Sequence, residues 1–356
     1  MNNNEKSKFK YLDLKNYLVG MISSGKYAPG ACIESENMLG ARWGLSRNTV
    51  RQAIKELEVE GYLYRLQGKG TFIRETNPGD LRKIALIIYD TAYMVHPITA
   101  NLIRGIDEVL VANNYALDVL ASKRGFHEEK TSALFENYAG ILVGAYQIDA
   151  LLMREFTVTY RPCLFVKNYT DATLDRAVRI DYERAGFLAA EHLIHHSRRD
   201  FGLIYFGESV TIARDFANGA RKAALEYGAR MRAQNIAAIP YGQTGQVGPA
   251  LSKFDHPDGL LCFADEFAVA ACNALKERNI KVPEDVAVVG CNNTSASLLY
   301  SPPITTIDIP TFELGRLAAQ ALLEVIQGKK FDPVLLEPEL VVRSTSGVVD
   351  NVREGA

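Results

Sequence analysis

Ser46-Arg47-Asn48-Thr49-Val50-Arg51-Gln52-Ala53-Ile54-Lys55-Glu56-Leu57 reads as one short helix with two unlike faces. Val50, Ala53, Ile54 and Leu57 recur at i, i+3, i+4 and i+7, which places them on a single apolar face. Arg47 and Arg51 stand four apart and share another face with Asn48 and Lys55. Ser46 suits an N-cap, because its hydroxyl can accept from an early backbone N–H. A solvated surface helix has this pattern, and so does a helix that enters a DNA major groove. There Arg forks onto guanine, Asn onto adenine, and Thr meets a thymine methyl or a phosphate.

The flanking residues separate the two readings. Upstream, Ser35-Glu36-Asn37-Met38-Leu39-Gly40-Ala41-Arg42-Trp43 predicts a second short helix capped by Ser35, and Gly44-Leu45 a tight turn. Helix, short turn, helix is the helix-turn-helix arrangement. Downstream, Tyr62 to Leu66 is strand-like, Gln67-Gly68-Lys69-Gly70 is a turn, and Thr71-Phe72-Ile73 returns. This hairpin sets a basic wing beside the helix. Residues 11–74 resemble the winged helix-turn-helix of the GntR regulators. The resemblance is carried by Leu45 to Arg51, by Leu57-Glu58-Val59-Glu60-Gly61 and by Gln67-Gly68-Lys69-Gly70-Thr71-Phe72. It implies DNA contacts from Glu36, Ser46, Arg47, Asn48, Thr49, Arg51, Gln67, Gly68 and Lys69. Many members read Pro-Ser-Glu-Arg where this chain reads Glu34-Ser35-Glu36-Asn37, closer to the arabinose-type repressors.

The charge is distributed to match. The 356 residues carry a net charge of only −2. Residues 1–75 hold 12 Lys and Arg against 8 Asp and Glu, a net of +4 that leaves −6 for the remainder. A basic head on an acidic body fits a DNA-binding unit joined to one that does not touch DNA. Residues 1–10 are expected to be a loose basic lead-in, followed by a helix that packs Tyr11, Leu14, Leu18, Met21 and Ile22. The five cysteines form no Cys-x-x-Cys pair, which points to core packing in a reducing compartment. The polar N-terminus MNNNEKSKFK has no secretory h-region, and no apolar run approaches the ~18 residues of a membrane span. A cytoplasmic location is the expectation.

Arg74 to Asp80, with Pro78-Gly79, marks a boundary, and 76–81 is expected to be a linker between the head (1–75) and a body at 82–347. From there strands and helices alternate. Strands are expected at 84–89, 117–121, 140–143, 163–166, 177–180, 201–206, 259–263, 286–289, 305–307 and 339–343. Helices are expected at 98–113, 148–156, 182–195, 216–227, 266–278 and 312–326. The alternation argues for an α/β protein with parallel sheets in two lobes, about 82–176 with 309–330 and 177–308 with 331–347. The body resembles the LacI/GalR effector domain, a periplasmic-binding-protein-like fold. Val282-Pro283-Glu284-Asp285-Val286-Ala287-Val288-Val289-Gly290, Tyr300 to Ile307, Glu313-Leu314-Gly315-Arg316 and Pro338 to Thr345 carry that resemblance.

In open parallel sheets ligands sit beyond the carboxyl ends of the strands. Asp90, Tyr146, Lys167, Asp265 and Asn292 follow strands, and His96 and Arg214 lie in adjoining segments. Their forked hydrogen-bonding groups suit vicinal hydroxyls, and Tyr146 suits a sugar face. Each has a plainer reading: Asp265 as an N-cap, Asn292 and Asn293 as turn residues, Lys167 as a rim charge, His96 as structural. No phosphate loop, His-Glu-x-x-His or nucleophile elbow is present, so neither an enzyme nor a cofactor is expected. His192, His195 and His196 are read as a favourable helix end rather than a metal site. The two resemblances together imply a ligand-responsive bacterial repressor. It would bind double-stranded operator DNA as a homodimer, under a small sugar or polyol. The alternative is a cytoplasmic sugar-binding or sugar-processing protein with an incidental head.

Overall fold

A computed structural model describes residues 3–23, 26–59, 61–66, 68–74, 82–88, 96–121, 138–144, 162–167 and 171–347. The head comprises α1 (Asn3–Ser23), α2 (Glu36–Trp43), α3 (Arg47–Val59) and the antiparallel pair β1 (Leu63–Leu66) and β2 (Gly70–Ile73). Leu14, Leu18 and Ile22 of α1 pack with Leu39, with Val50, Ala53, Ile54 and Leu57 of α3, and with Leu63 and Ile73 of the hairpin. The i, i+3, i+4 face therefore faces the head core, and the arginines face outward. The lead-in expected at 1–10 is corrected: α1 already runs from Asn3. Its mixed Asn, Glu, Lys and Ser have adequate helix propensity and need no apolar face of their own.

The body contains two six-stranded sheets. The first uses β3 (Lys83–Ile88), β4 (Ala116–Ala121), β5 (Gly140–Val143), β6 (Cys163–Val166), β7 (Ala177–Ile180) and β13 (Val334–Leu336). Its order is β13-β7-β6-β5-β3-β4. The second uses β8 (Asp200–Tyr205), β9 (Arg230–Ala238), β10 (Gly259–Cys262), β11 (Ala287–Cys291), β12 (Thr305–Asp308) and β14 (Glu339–Val341). Its order is β14-β12-β11-β10-β8-β9. The described pairings of the first sheet are parallel. Those of the second are parallel except β12 with β14. Runs such as Ile84 to Ile88 and Gly259 to Cys262 are buried throughout, as strands covered on both faces must be. Helices α4 (Pro97–Ala112), α5 (Tyr182–His195), α6 (Thr211–Glu226), α7 (Val247–Leu251), α8 (Asp265–Glu277), α9 (Ser295–Leu299) and α10 (Thr311–Ile326) complete the alternation.

By contact, the described residues within 92–105, 165–317 and 333–347 form one compact unit, and those within 3–88, 106–164 and 318–332 another. Within the former, α5 and α6 cross backbone to backbone. A Cβ on Gly186 would lie 1.8 Å from the Phe216 carbonyl oxygen, and one on Gly219 would lie 1.8 Å from that of Glu183. Helix α6 begins at Thr211 rather than Phe216, and β9, β13 and the short helices α7 and α9 were not expected. The helix expected at 148–156 lies outside the described residues. Among the described residues no helix is long and apolar enough to cross a membrane.

Candidate nucleic-acid interface and small-molecule site

The turn between α2 and α3 is built by local chemistry. The Met38 amide donates to Ser35 Oγ (3.3 Å), and Gly44 ends α2 in the left-handed region at φ 62°. The Thr49 amide donates to Ser46 Oγ (3.2 Å), and the Ser46 and Thr49 hydroxyls pair at 2.8 Å. Ser46 therefore caps α3 as expected, and the two hydroxyls satisfy each other. The outward face carries Arg47, Asn48 and Arg51, all exposed.

Glu36, at the start of α2, gathers that face. It accepts from Arg47 Nε (3.2 Å), from Arg51 Nη2 (3.0 Å) and from Arg65 Nη2 of β1 (3.1 Å). The Arg51 bond is the main reason its pKa is held below the usual carboxylate value, with Arg47 adding to it against the opposing effect of burial. Among the described residues Arg47 bonds only through Nε, so both terminal nitrogens of its fork are open to a DNA partner. Arg65 also donates from Nε to Glu58 (3.2 Å) and is thus braced at two points. The sequence reading did not single out Arg65; its signal was an Arg facing outward from a strand beside the wing. In the wing the Lys69 amide closes the turn onto the Leu66 carbonyl (3.0 Å). Gly68 at φ 75° has open space where a Cβ would stand, so backbone conformation is what requires glycine. Lys69 is exposed, and Gln67 lies outside the described residues.

In the body, the residues beyond the strand ends share an unusual backbone. Lys167 after β6 has φ 68°, Gly207 after β8 has φ 95°, and Asn292 and Asn293 after β11 have φ 106° and 49°. Non-glycine residues in this region are strained, by about 1–3 kcal/mol each, and such strain concentrates at functional sites. Asn293 is fully engaged: it donates to Asp308 (2.9 Å) and accepts from Arg343 Nη2 (2.6 Å). The Asn292 backbone N–H donates to Ile307 (2.8 Å), while among the described residues its side chain meets only the Cys291 thiol, at 3.9 Å.

Asp265 requires correction on both of its expected roles. It lies inside α8, whose N-cap is Ala264, and it is fully buried. Its Oδ1 accepts from Thr306 Oγ1 (2.6 Å), and its Oδ2 from the Thr294 amide (2.6 Å) and hydroxyl (2.9 Å). The carboxylate pins the turn after β11 to the end of β10 and is closed to a ligand. Burial pushes its pKa up to about 6, against the lowering effect of those bonds. A Cβ on Gly290 would stand 2.5 Å from Oδ1, which is why glycine occupies β11 there.

Lys167 is half-buried and has no carboxylate within ion-pair distance among the described residues. Burial of its amine drives its pKa down to about 8, only partly offset by the Cys291 thiol. Arg214, in the first turn of α6, is exposed and lies 3.6 Å from Asp215. His96 accepts from the Ile98 amide at Nδ1 (3.3 Å), which leaves the proton on Nε2 when the ring is neutral. That Nε2 stands 3.3 Å from Glu266 Oε1. Among the described residues, both His96 Nε2 and Glu266 Oε2 are buried without a hydrogen-bond partner. Unmet polar atoms of this kind cost about 1–3 kcal/mol each. Burial raises the Glu266 pKa, but the His96 contact and its own backbone N–H outweigh that and hold it below the usual value.

Aromatic rings line the same strand ends. Phe206 meets Tyr241 at 5.8 Å, Phe263 at 5.2 Å and Phe267 at 5.5 Å between centroids, and Tyr241 meets His96 at 5.5 Å. The sequence reading missed Phe206, Tyr241 and Glu266. Each follows a strand, but Tyr241 follows the unexpected β9. Asp90 and Tyr146 lie outside the described residues. The histidine group at the end of α5 is structural: His192 Nε2 meets Ser346 Oγ at 2.7 Å, and burial lowers its pKa to about 4.

Comparison with known proteins fits both parts. Residues 10–73 match the bacterial regulatory proteins of the gntR family, and residues 190–346 match a periplasmic binding protein-like domain. The arabinose metabolism transcriptional repressor of Geobacillus stearothermophilus is 27% identical over 368 residues, spanning 96% of this chain and 99% of that protein. The transcriptional repressor PurR of Actinobacillus pleuropneumoniae is 34% identical over 176 residues, 48% of this chain and 52% of its own. Among solved structures, the transcriptional regulator CelR–cellobiose complex superposes with a TM-score of 0.69 at 20% identity, covering 88% of this chain and all (100%) of that one. A LacI family regulator from Enterococcus faecium with bound ribose gives 0.64 at 21% identity, covering 74% and 98%. At these identities the structural likeness speaks for the fold. The chain therefore joins a GntR-type winged helix-turn-helix head to a periplasmic binding protein-like domain.

Proposed function

We propose that the protein is a cytoplasmic transcriptional repressor that binds double-stranded operator DNA as a homodimer and is controlled by a small polyhydroxy effector. The observation that carries the DNA reading is the braced arginine face. Arg47, Arg51 and Arg65 converge on Glu36 beside a wing that ends in Lys69. A guanidinium held at its Nε enters the groove with its conformation already restricted, so less entropy is lost on forking onto a base. Arg47 and Asn48 are assigned to base edges, and Lys69 and the Gly68 backbone to a phosphate. A single head offers too few contacts for specific affinity, so two are expected on a pseudo-palindrome. Full-length relatives that are transcriptional repressors support the same reading.

For the effector, the support is the set of residues beyond the strand ends, with Lys167, Asn292 and Glu266 offering polar groups and Phe206 and Tyr241 offering rings. An effector that binds one conformation better than another shifts the equilibrium by that difference. Typical couplings of ~1–3 kcal/mol change operator affinity roughly 5–150-fold. Selection of bound duplexes from a random library by the full chain, followed by anisotropy titration of the winner, tests the DNA reading. A symmetric pair of half-sites is expected. No enrichment over input at 100 mM salt would defeat it.

A further inference from the structure

We propose that the effector is a sugar acid, a polyhydroxy compound bearing one carboxylate, with Lys167 reading the carboxylate and the His96–Glu266 pair reading a hydroxyl. This rests on the small-molecule reading above and names the class of compound that site takes.

Two independent observations lead there. The first is Lys167. It stands at the end of an inner strand of the first sheet in a left-handed conformation, at φ 68°. Nothing local requires that strain of a lysine, because a glycine or asparagine would turn the chain more easily. A cation held against both backbone preference and desolvation, with no carboxylate within ion-pair distance among the described residues, is matched by an anion that arrives with the ligand. The second is the unmet pair. His96 Nε2 is a donor, Glu266 Oε2 is an acceptor, and neither has a hydrogen-bond partner among the described residues. A hydroxyl is both acceptor and donor, so one ligand hydroxyl satisfies the two atoms together. A simple carboxylate does not explain the pair, since it has no hydrogen for Glu266.

The two features lie beyond strand ends within one compact unit, Lys167 after β6 and Glu266 after β10. Both also lie near enough to the Cys291 thiol to act on it electrostatically. Asn292, the next residue, has a side-chain amide that meets only the Cys291 thiol among the described residues. Phe206 and Tyr241 supply apolar surface for the C–H face of a ring. One ammonium also matches one negative charge; a phosphate dianion would bring a second charge beside Glu266.

The test uses the full chain without DNA, so it is independent of operator binding. D-Glucuronate, D-galacturonate and D-gluconate are titrated by calorimetry beside D-glucose, D-galactose, L-arabinose, D-ribose and D-glucose 6-phosphate. At least one acid is expected to bind roughly ten- to a hundredfold more tightly than its neutral parent, the range of a charge-assisted hydrogen bond. Lys167→Met should bring acid and parent to within about threefold of each other, keeping the charge-independent part of binding. Glu266→Gln should weaken acid and parent alike, leaving their ratio unchanged. Equal or tighter binding of the neutral parents, tighter binding of the phosphate, or no binding of any acid overturns the proposal in the unmodified protein alone. An acid preference that survives Lys167→Met removes Lys167 as its reader. Loss of DNA binding with acid binding intact would instead strike the repressor reading and spare this one.

Discussion

Two buried groups in the body oppose each other in their response to pH, and their separation is a quantitative test of the structure. Asp265 is raised from 3.8 to about 6, and His192 is lowered from 6.5 to about 4. Moving a pKa by one is worth about 1.4 kcal/mol, so each group contributes about 3 kcal/mol. Between pH 4 and 6 the folded Asp265 keeps a proton that the unfolded chain has released. The folded state binds more protons there, so this group makes stability fall as pH rises. In the same window the unfolded His192 is protonated and the folded one is neutral. The unfolded state binds more protons, so this group makes stability rise with pH. The two slopes, each up to about 1.4 kcal/mol per pH unit, cancel in the unmodified protein. Asp265→Asn keeps an oxygen for the Thr294 amide and removes one slope. Its stability is expected to climb by about 3 kcal/mol relative to the parent between pH 4 and 6, and to exceed it above pH 6, less any loss at Thr306. The assay is urea unfolding followed by circular dichroism at a series of pH values. Fluorescence would miss the event, because the single tryptophan, Trp43, lies in the head. Parent and Asp265→Asn curves that run parallel from pH 4 to 6 would refute the assignment of the raised pKa to Asp265.

Four further outcomes are expected. Arg47→Ala should lose about 1–3 kcal/mol of operator binding with little change on scrambled duplex, measured by anisotropy; equal loss on both would make it a phosphate contact. Lys69→Ala should weaken all duplexes alike and lower the salt slope by about one, and an unchanged slope would place Lys69 away from the backbone. Glu36→Gln removes a negative charge beside three arginines, so affinity for random DNA should rise while the operator-to-random ratio falls; a preserved ratio would mean that the bracing is irrelevant to recognition. Gly290→Ala should destabilise by about 1–3 kcal/mol through the clash with Asp265, and by much less in an Asp265→Ala background, a coupling that chemical unfolding of the four proteins measures.

The head was the most legible part of the chain because its determinants are local. Ser35, Ser46, Gly44 and Gly68 act through bonds and dihedrals within a few residues, so their roles follow from sequence spacing. The parallel strands were legible for a related reason, since Ile84 to Ile88 or Ala287 to Cys291 can hardly be anything but covered strands. Strand β9 was hidden because it lies at a sheet edge, where Arg230, Arg232 and Gln234 interrupt the apolar pattern. The first turn of α6 was hidden because Val210 caps it without a side-chain bond, leaving no signature before Phe216. Asp265 was misjudged for a deeper reason. Its partners Thr294 and Thr306 are 29 and 41 residues away, and no local rule foretells them. Glu266 was hidden by its neighbour, because Asp265 is the acidic residue nearer the strand end. The side chain with an unmet oxygen is one position further on.

The glycine crossing of α5 and α6 has a consequence for motion. Where side chains separate two helices, rotamer changes let them slide by small steps, but the Gly186 and Gly219 contact leaves only backbone against backbone. Neither helix can open while the other stays in place, so the pair should exchange its amide hydrogens as one cooperative block. Any rearrangement in the body that shifts β7 or β8 must then carry both helices along as a single rigid lever, delivering displacement over the length of α6 rather than dissipating it locally.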